Sequence, residues 1–192
     1  GGYSLTNGTG NTTFGSDAGP SISEGIGNNY FGKFAGQYST TGDYNVGIGQ
    51  EALKSITVGN SNICIGTEAG KGGDFSETVF IGHLAGYQNT QGSTVGIGNE
   101  ALKNNTSVNN TAVGHRALIA NTSGDSNTGL GFRELDVNET GNNNTAVGSE
   151  ALRNTTGGSN VAVGTHAGLN LSNANENTFL GTSAGRSMTT GQ

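Results

Sequence analysis

Two carboxylates, Glu51 and Glu68, lie seventeen residues apart in matching contexts, Gly49-Gln50-Glu51-Ala52 and Gly66-Thr67-Glu68-Ala69. If the chain winds once per interval, they stand about 4.8 Å apart, the spacing of neighbouring parallel strands. Carboxylates that close could raise the pKa of one partner, hold a cation, or act as an acid/base pair in sugar hydrolysis. Asp17, Glu100 and Glu150 occupy the same place in their own intervals, but so do Phe34, Leu84, Arg116 and Arg133. A solvated outer row is therefore the simpler reading. His83 and His115 directly follow a recurring glycine and His166 stands one place further. They are two and three intervals apart, too far for one chain to bring them to a shared metal. Cys64 has no histidine in its own interval to activate it as a nucleophile, and a single cysteine cannot form an intrachain disulfide. Gly66 to Lys71 is one residue short of a phosphate loop, and Gly72 stands where Ser or Thr is required. The chain is thus expected to be no enzyme, with no catalytic residue, metal or cofactor.

The aromatic residues concentrate in the first 87 positions, and Tyr38, Tyr44, Phe75 and Tyr87 fall between the regular positions. Rings with an apolar face and a polar tip suit a cell-surface glycan or a protein receptor. They would equally serve as anchors folding loops over the body of the protein.

What must position these residues is a repeat. An apolar residue followed by Gly, with Ala three places later, recurs from end to end. The landmark glycines are Gly15, Gly32, Gly49, Gly66, Gly82, Gly98, Gly114, Gly131, Gly148, Gly164 and Gly181, stepping by 16 or 17 residues. A fixed period of this kind marks a stacked repeat architecture. Counting the landmark as zero, position -1 is apolar in all eleven copies and position -3 is Thr or aliphatic in all but one (Asn29). The two-residue strand period puts -3 and -1 on one face, expected to be the core. Position -2 then faces outward. Its small or apolar residues, among them Tyr30, Cys64, Phe80, Ala112, Ala146, Ala162 and Phe179, are expected to contact a neighbouring subunit. Position +3 is Ala except at Glu134, position +4 is Leu or Gly, and position -4 is Asn except at Thr78 and Thr94. These features predict a narrow opposite wall, a bend at the landmark glycine and a ladder of stacked amides.

Gly, Asn, Thr and Ser fill more than half of the 192 residues, and charged residues make up only 11%. Two packed helices cannot form from so short and glycine-rich a unit. The predicted fold is all-β: a flattened parallel β-solenoid of about eleven turns, with two short strands and two bends per turn. Residues 1–192 read as one repeat domain, and the absence of atypical end turns suggests a segment of a longer fibre. The net charge of -6 and scattered basic residues argue against nucleic acid. No apolar run approaches the ~18 residues of a membrane span.

The units Asn144 to Leu152, Asn110 to Leu118 and Asn160 to Gly168 resemble the A-[VI]-G-x-x-A repeats of trimeric autotransporter adhesin heads. They are even more similar to the N-T-A-V-G-x-x-A-L arrays of phage tail fibres. The resemblance implies a left-handed β-roll, a homotrimer about a threefold axis and a role in attachment outside the cell, on a virion or a bacterial surface. The period here is longer than that of the adhesin heads. Two other readings differ in class: an ice-binding solenoid, given the Thr residues in the strands, and a glycan depolymerase, given the carboxylates.

Overall fold

The computed structural model describes residues 8–190. Each repeat contributes one three-residue strand: β1 (Thr12–Phe14), β2 (Asn29–Phe31), β3 (Val46–Ile48), β4 (Ile63–Ile65), β5 (Val79–Ile81), β6 (Val95–Ile97), β7 (Thr111–Val113), β8 (Thr128–Leu130), β9 (Thr145–Val147), β10 (Val161–Val163) and β11 (Thr178–Leu180). They pair in parallel and in sequence order, forming one 11-stranded sheet and a β-solenoid of about ten turns. The register repeats without slippage, as in Ala112↔Gly129 and Gly129↔Ala146.

The strands are short because both ends are fixed. At the landmark glycine φ lies near +135°, as at Gly15, Gly49 and Gly66, a region that side chains disfavour. A Cβ at Gly15 would also stand 2.6 Å from the carbonyl oxygen of Gly32 in the next turn. The glycines therefore stack backbone on backbone, and the strand ends there.

The expected second strand does not form among the described residues. The opposite wall is a stack of tight turns in which positions +2 and +4 are left-handed, for example Glu51 (φ 59°) and Leu53 (φ 51°). Such residues cost about 1–3 kcal/mol each, and the stacking repays this in hydrogen bonds. Glu51 N–H donates to Lys33 O in the turn before (2.9 Å) and Leu53 N–H to Ala69 O in the turn after (3.0 Å). Alternating handedness aims alternate N–H groups up and down the stack, as a strand would, in a wall that bends.

The faces of the strand are the reverse of the expectation. Position -2 points inward: Tyr30, Cys64, Phe80, Ala112, Ala146 and Ala162 are fully buried within their own chain, and Phe179 nearly so. They pack against the +3 alanines and the +4 residues of the turn wall. Positions -3 and -1 point outward. The reason is the thinness of the roll. Strand and wall are so close that one inward column fills the space between them.

Within that column volumes are matched across the core. Where -2 is large, +4 is Gly: Tyr30 with Gly36, Phe80 with Gly86, Phe179 with Gly185. Where -2 is Gly or Ala, +4 is a fully buried Leu: Gly47 with Leu53, Gly96 with Leu102, Ala112 with Leu118, Gly129 with Leu135, Ala146 with Leu152. Ala162 faces Gly168, and the buried Leu171 lies three residues further on.

Polar groups inside the roll are satisfied by ladders. Asn127 N–H donates to Asn110 Oδ1 (2.9 Å), Asn127 Nδ2 donates to Gly141 O (2.8 Å), and Asn144 N–H donates to Asn127 Oδ1 (2.9 Å). Each -4 asparagine thus ties its own turn to both neighbours and to the loop. A second ladder, at position +7, runs Asn89, Asn105, Asn121 and Asn138, with amide-to-amide bonds of 2.7, 2.7 and 3.2 Å.

Candidate functional site

The outward columns form the most distinctive surface. Eleven strands with two outward residues each carry no charge in any of those positions. Phe31, Ile48, Ile63, Leu130, Val161 and Val163 are all exposed, as are Phe14 and Leu180 on the two terminal strands of the sheet. At about 4.8 Å per strand and 3.3 Å per residue the face is a ribbon roughly 50 Å long and 10 Å wide. The residues expected to contact a neighbouring subunit are thus the core, and those expected in the core form the free face.

The loop aromatics divide. Tyr38 and Tyr44 are exposed, at 50% and 63%. Tyr87 is half-buried, with Lys71 Nζ 5.5 Å from its ring centroid. Phe75 is 4% exposed and meets Phe80 edge to face at 5.7 Å. Phe75 is therefore not a surface ring. It fills the one turn in which positions +4 and +7 are both glycine, Gly70 and Gly73. Tyr38 and Tyr44 share the loop between β2 and β3, Phe75 and Tyr87 lie in two other turns, and no ring contact joins the four among the described residues.

The carboxylate row does stack, but Glu51, Glu68, Glu100 and Glu150 are each met by a cation. Lys71 Nζ lies 2.6 Å from Glu51 and 3.6 Å from Glu68, and Lys54 lies 3.3 Å from Glu51. The hydrogen bond from Lys71 holds the Glu51 carboxyl below its ordinary range, and Lys103 does the same to Glu100 at 2.8 Å. Glu51 and Glu100 thus stay ionised rather than supplying a proton, against the depolymerase reading of this row. Further along, Asp136 gathers three guanidinium groups: Arg133 at 2.6 Å, Arg153 at 3.6 Å and Arg116 at 3.7 Å.

The histidines are separate. His83 Nδ1 is 3.2 Å from Asn99 Nδ2, His115 stacks on Phe132, and His166 lies 3.4 Å from Glu150. Among the described residues no three of His, Cys, Asp and Glu converge as a metal site would require. Cys64 is buried, and desolvation pushes its thiol pKa well up, away from the thiolate.

One buried group departs from the pattern. Glu134 takes the place of the +3 alanine, is fully buried, and neither carboxylate oxygen has a hydrogen-bond partner. Burial raises its pKa to about 7. The carboxylate lies against Gly131, where any side chain would collide with its Oε1.

Comparison with protein-family models, curated proteins and solved structures finds no significant match for this chain. Among the described residues no helix is long and apolar enough to cross a membrane.

Proposed function

We propose that this chain is a structural and adhesive segment of an extracellular fibre, in which three copies join through their outward strand columns. The observation that carries this reading is the uncharged ribbon of positions -3 and -1, apolar in every strand at -1 and Thr, Asn or aliphatic at -3, continuous over eleven strands and uncovered in the single chain. Solvent-facing strands otherwise carry charged or polar residues in alternation. A ribbon this narrow and regular matches a second copy of itself, because every turn offers an apolar residue at -1 and an uncharged one at -3 at the same spacing. The number three, the left-handed winding and the placement on a phage tail fibre or bacterial surface follow from the repeat resemblance. Function is then mechanical: a stiff rod holds its loops outward, and threefold repetition raises avidity for a surface receptor. Lysine cross-linking of the dilute chain is expected to give a ladder ending at three. A single-chain band alone would contradict the reading.

The outward turn of Thr12, Thr111, Thr128, Thr145 and Thr178 supports a second reading, in which the same face binds ice. One face cannot serve both ends. Thermal hysteresis by a chain that stays monomeric would select ice binding.

A further inference from the structure

The loops opposite the landmark glycines are indented near the C-terminal end of the stack. There a cleft of about 440 Å³ opens between the loops that follow Gly131, Gly148 and Gly164. The cause is in the repeat lengths. The interval after Gly148 is 16 residues, and the intervals on either side are 17. Where its neighbours place two residues, Glu139-Thr140 and Ser172-Asn173, this loop places only Thr156. The three consecutive 16-residue intervals from Gly66 to Gly114 recede together. The single short loop is recessed between two longer ones, with Gly157 and Gly158 as its floor.

The same place breaks a ladder. Six residues before the landmark glycine, a side-chain oxygen accepts the N–H of the turn before wherever the residue carries one, which Ile26, Gly92, Val108 and Gly158 do not. Ile26 N–H donates to Asp43 Oδ1, Asp43 N–H to Asn60 Oδ1, Asp125 N–H to Asn142 Oδ1 and Gly158 N–H to Asn175 Oδ1, all at 2.7 Å. The next link should run from Asn142 N–H to residue 158, but residue 158 is glycine and has no oxygen to offer. Asn142 N–H is left without an acceptor among the described residues. So are the N–H groups of Glu139 and Thr140, whose counterparts Thr122 and Ser123 both donate to Glu139 O. All three residues are exposed, so these donors stand open to water or to a ligand.

The chemistry of the cleft narrows that ligand. The walls are Thr140, Asn142 and Asn143 on one side and Asn173, Asn175 and Glu176 on the other. No aromatic, aliphatic or basic side chain lines it, so neither an apolar ligand nor an anion finds a complement. A single carboxylate cannot hold a metal cation by itself. What fits is a neutral molecule whose groups both accept from N–H donors and donate to Glu176 and the asparagine carbonyls, which hydroxyl groups do. The volume lies within the ~300–1,000 Å³ of small-ligand sites. We propose that this cleft is a subsite for a neutral saccharide unit. The proposal supplies a ligand class for the attachment reading and rests on that reading for its setting, but the cleft lies within one chain and needs no partner copy to bind.

The test is saturation-transfer NMR with the methyl glycosides of glucose, galactose and N-acetylglucosamine. It uses the wild-type chain and two variants, with thermal melts run in parallel. Gly158→Asn supplies the missing acceptor to Asn142 and fills the floor. Its Cβ would stand 2.8 Å from Asn142 O, so the loop must give slightly. Glu176→Ser removes the carboxylate and installs the residue found in the same column at Ser61, Ser126 and Ser159. At least one glycoside is expected to receive saturation from the wild-type chain, with at least tenfold weaker binding in both variants. No transfer from the wild-type chain to any of the three, or transfer undiminished in either folded variant, would overturn the proposal. Failure of sugar binding by an assembled trimer removes the cleft alone. Sugar binding by a chain shown to be monomeric removes the assembly reading alone.

Discussion

A Cβ placed on Gly36 would stand 2.5 Å from the ring of Tyr30, six residues earlier in the chain and across the core. The two positions share one volume, and apart from the Ala162 turn the repeat divides it in two main ways: a larger -2 residue with Gly at +4, or a small -2 residue with Leu. Turn 2 uses the first, and turn 3 uses the second with Gly47 and Leu53. Tyr30→Gly should therefore cost about 3–5 kcal/mol through its cavity. Gly36→Leu should cost about 1–3 kcal/mol or more through overpacking. The double variant reproduces the turn 3 pairing and should recover more than half of the summed loss. Chemical denaturation of the three variants measures this. Additive losses would mean that the two positions are not coupled.

Glu134 should make stability depend on pH in a defined direction. Its carboxyl titrates near 7 when folded, above the ordinary 4.5. Below 4.5 both folded and unfolded chains hold the proton, and nothing is lost. Between 4.5 and 7 the unfolded chain ionises first, so stability falls as pH rises and levels off above 7. The penalty at the plateau is on the order of 3 kcal/mol, from about 1.4 kcal/mol per unit. Glu134→Ala restores the residue found at +3 in the other ten turns. It should stabilise the protein at pH 8 by about that amount and at pH 4 by much less. Equal gains at both pH values would show that the carboxyl does not titrate on unfolding.

The asparagine ladder is expected to tolerate one substitution and not another. Asn127→Ala leaves two hydrogen bonds unmade, stripping Gly141 O of its amide donor and the Asn144 N–H of its acceptor. This should cost about 2–4 kcal/mol, since each unsatisfied buried group costs about 1–3 kcal/mol. Asn127→Thr keeps one hydroxyl, as Thr78 does when it donates to Asn62 Oδ1 at 2.8 Å. It should cost less than half as much. Hydrogen exchange would localise the loss to the turns on either side of Asn127.

The charged row makes unequal contributions. Asp136 is nearly buried beneath three arginines, whereas Glu150 sits in partly exposed pairs. Asp136→Ala should cost about 2–3 kcal/mol and Glu150→Ala under ~0.5 kcal/mol. Thermal melts at low and high salt check both. Equal costs would indicate screening of Asp136 by solvent.

Much of this architecture is legible in the residues. The period, the parallel register, the bend at Gly148, the alanine wall and the Asn144 ladder all follow from which residue types recur. The two faces of the strand do not follow. Hydrophobicity puts Ile97 and Val113 in the core and Ala112 outside, and the structure reverses this because a three-residue strand in a thin roll has one inward side chain. The decisive signal was available in the exchange of size between Tyr30 and Gly36 and between Gly47 and Leu53, a relation within one turn that column-by-column reading misses. The ladder through Asn105 and Asn121 spans only four turns and leaves no full-length pattern. Phe75 lies outside every regular column, and only the paired Gly70 and Gly73 reveal the hole it fills.

The central claim is that the outward columns, and not the -2 column, join the subunits. Sedimentation equilibrium of the wild-type chain and of Ile97→Lys tests it directly. Ile97 is outward, half-exposed and mid-stack. Its replacement by Lys should leave the circular dichroism of the single chain unchanged. The account predicts a trimer for the wild type and a folded monomer for Ile97→Lys. A wild-type monomer, or a variant that remains trimeric, would contradict it.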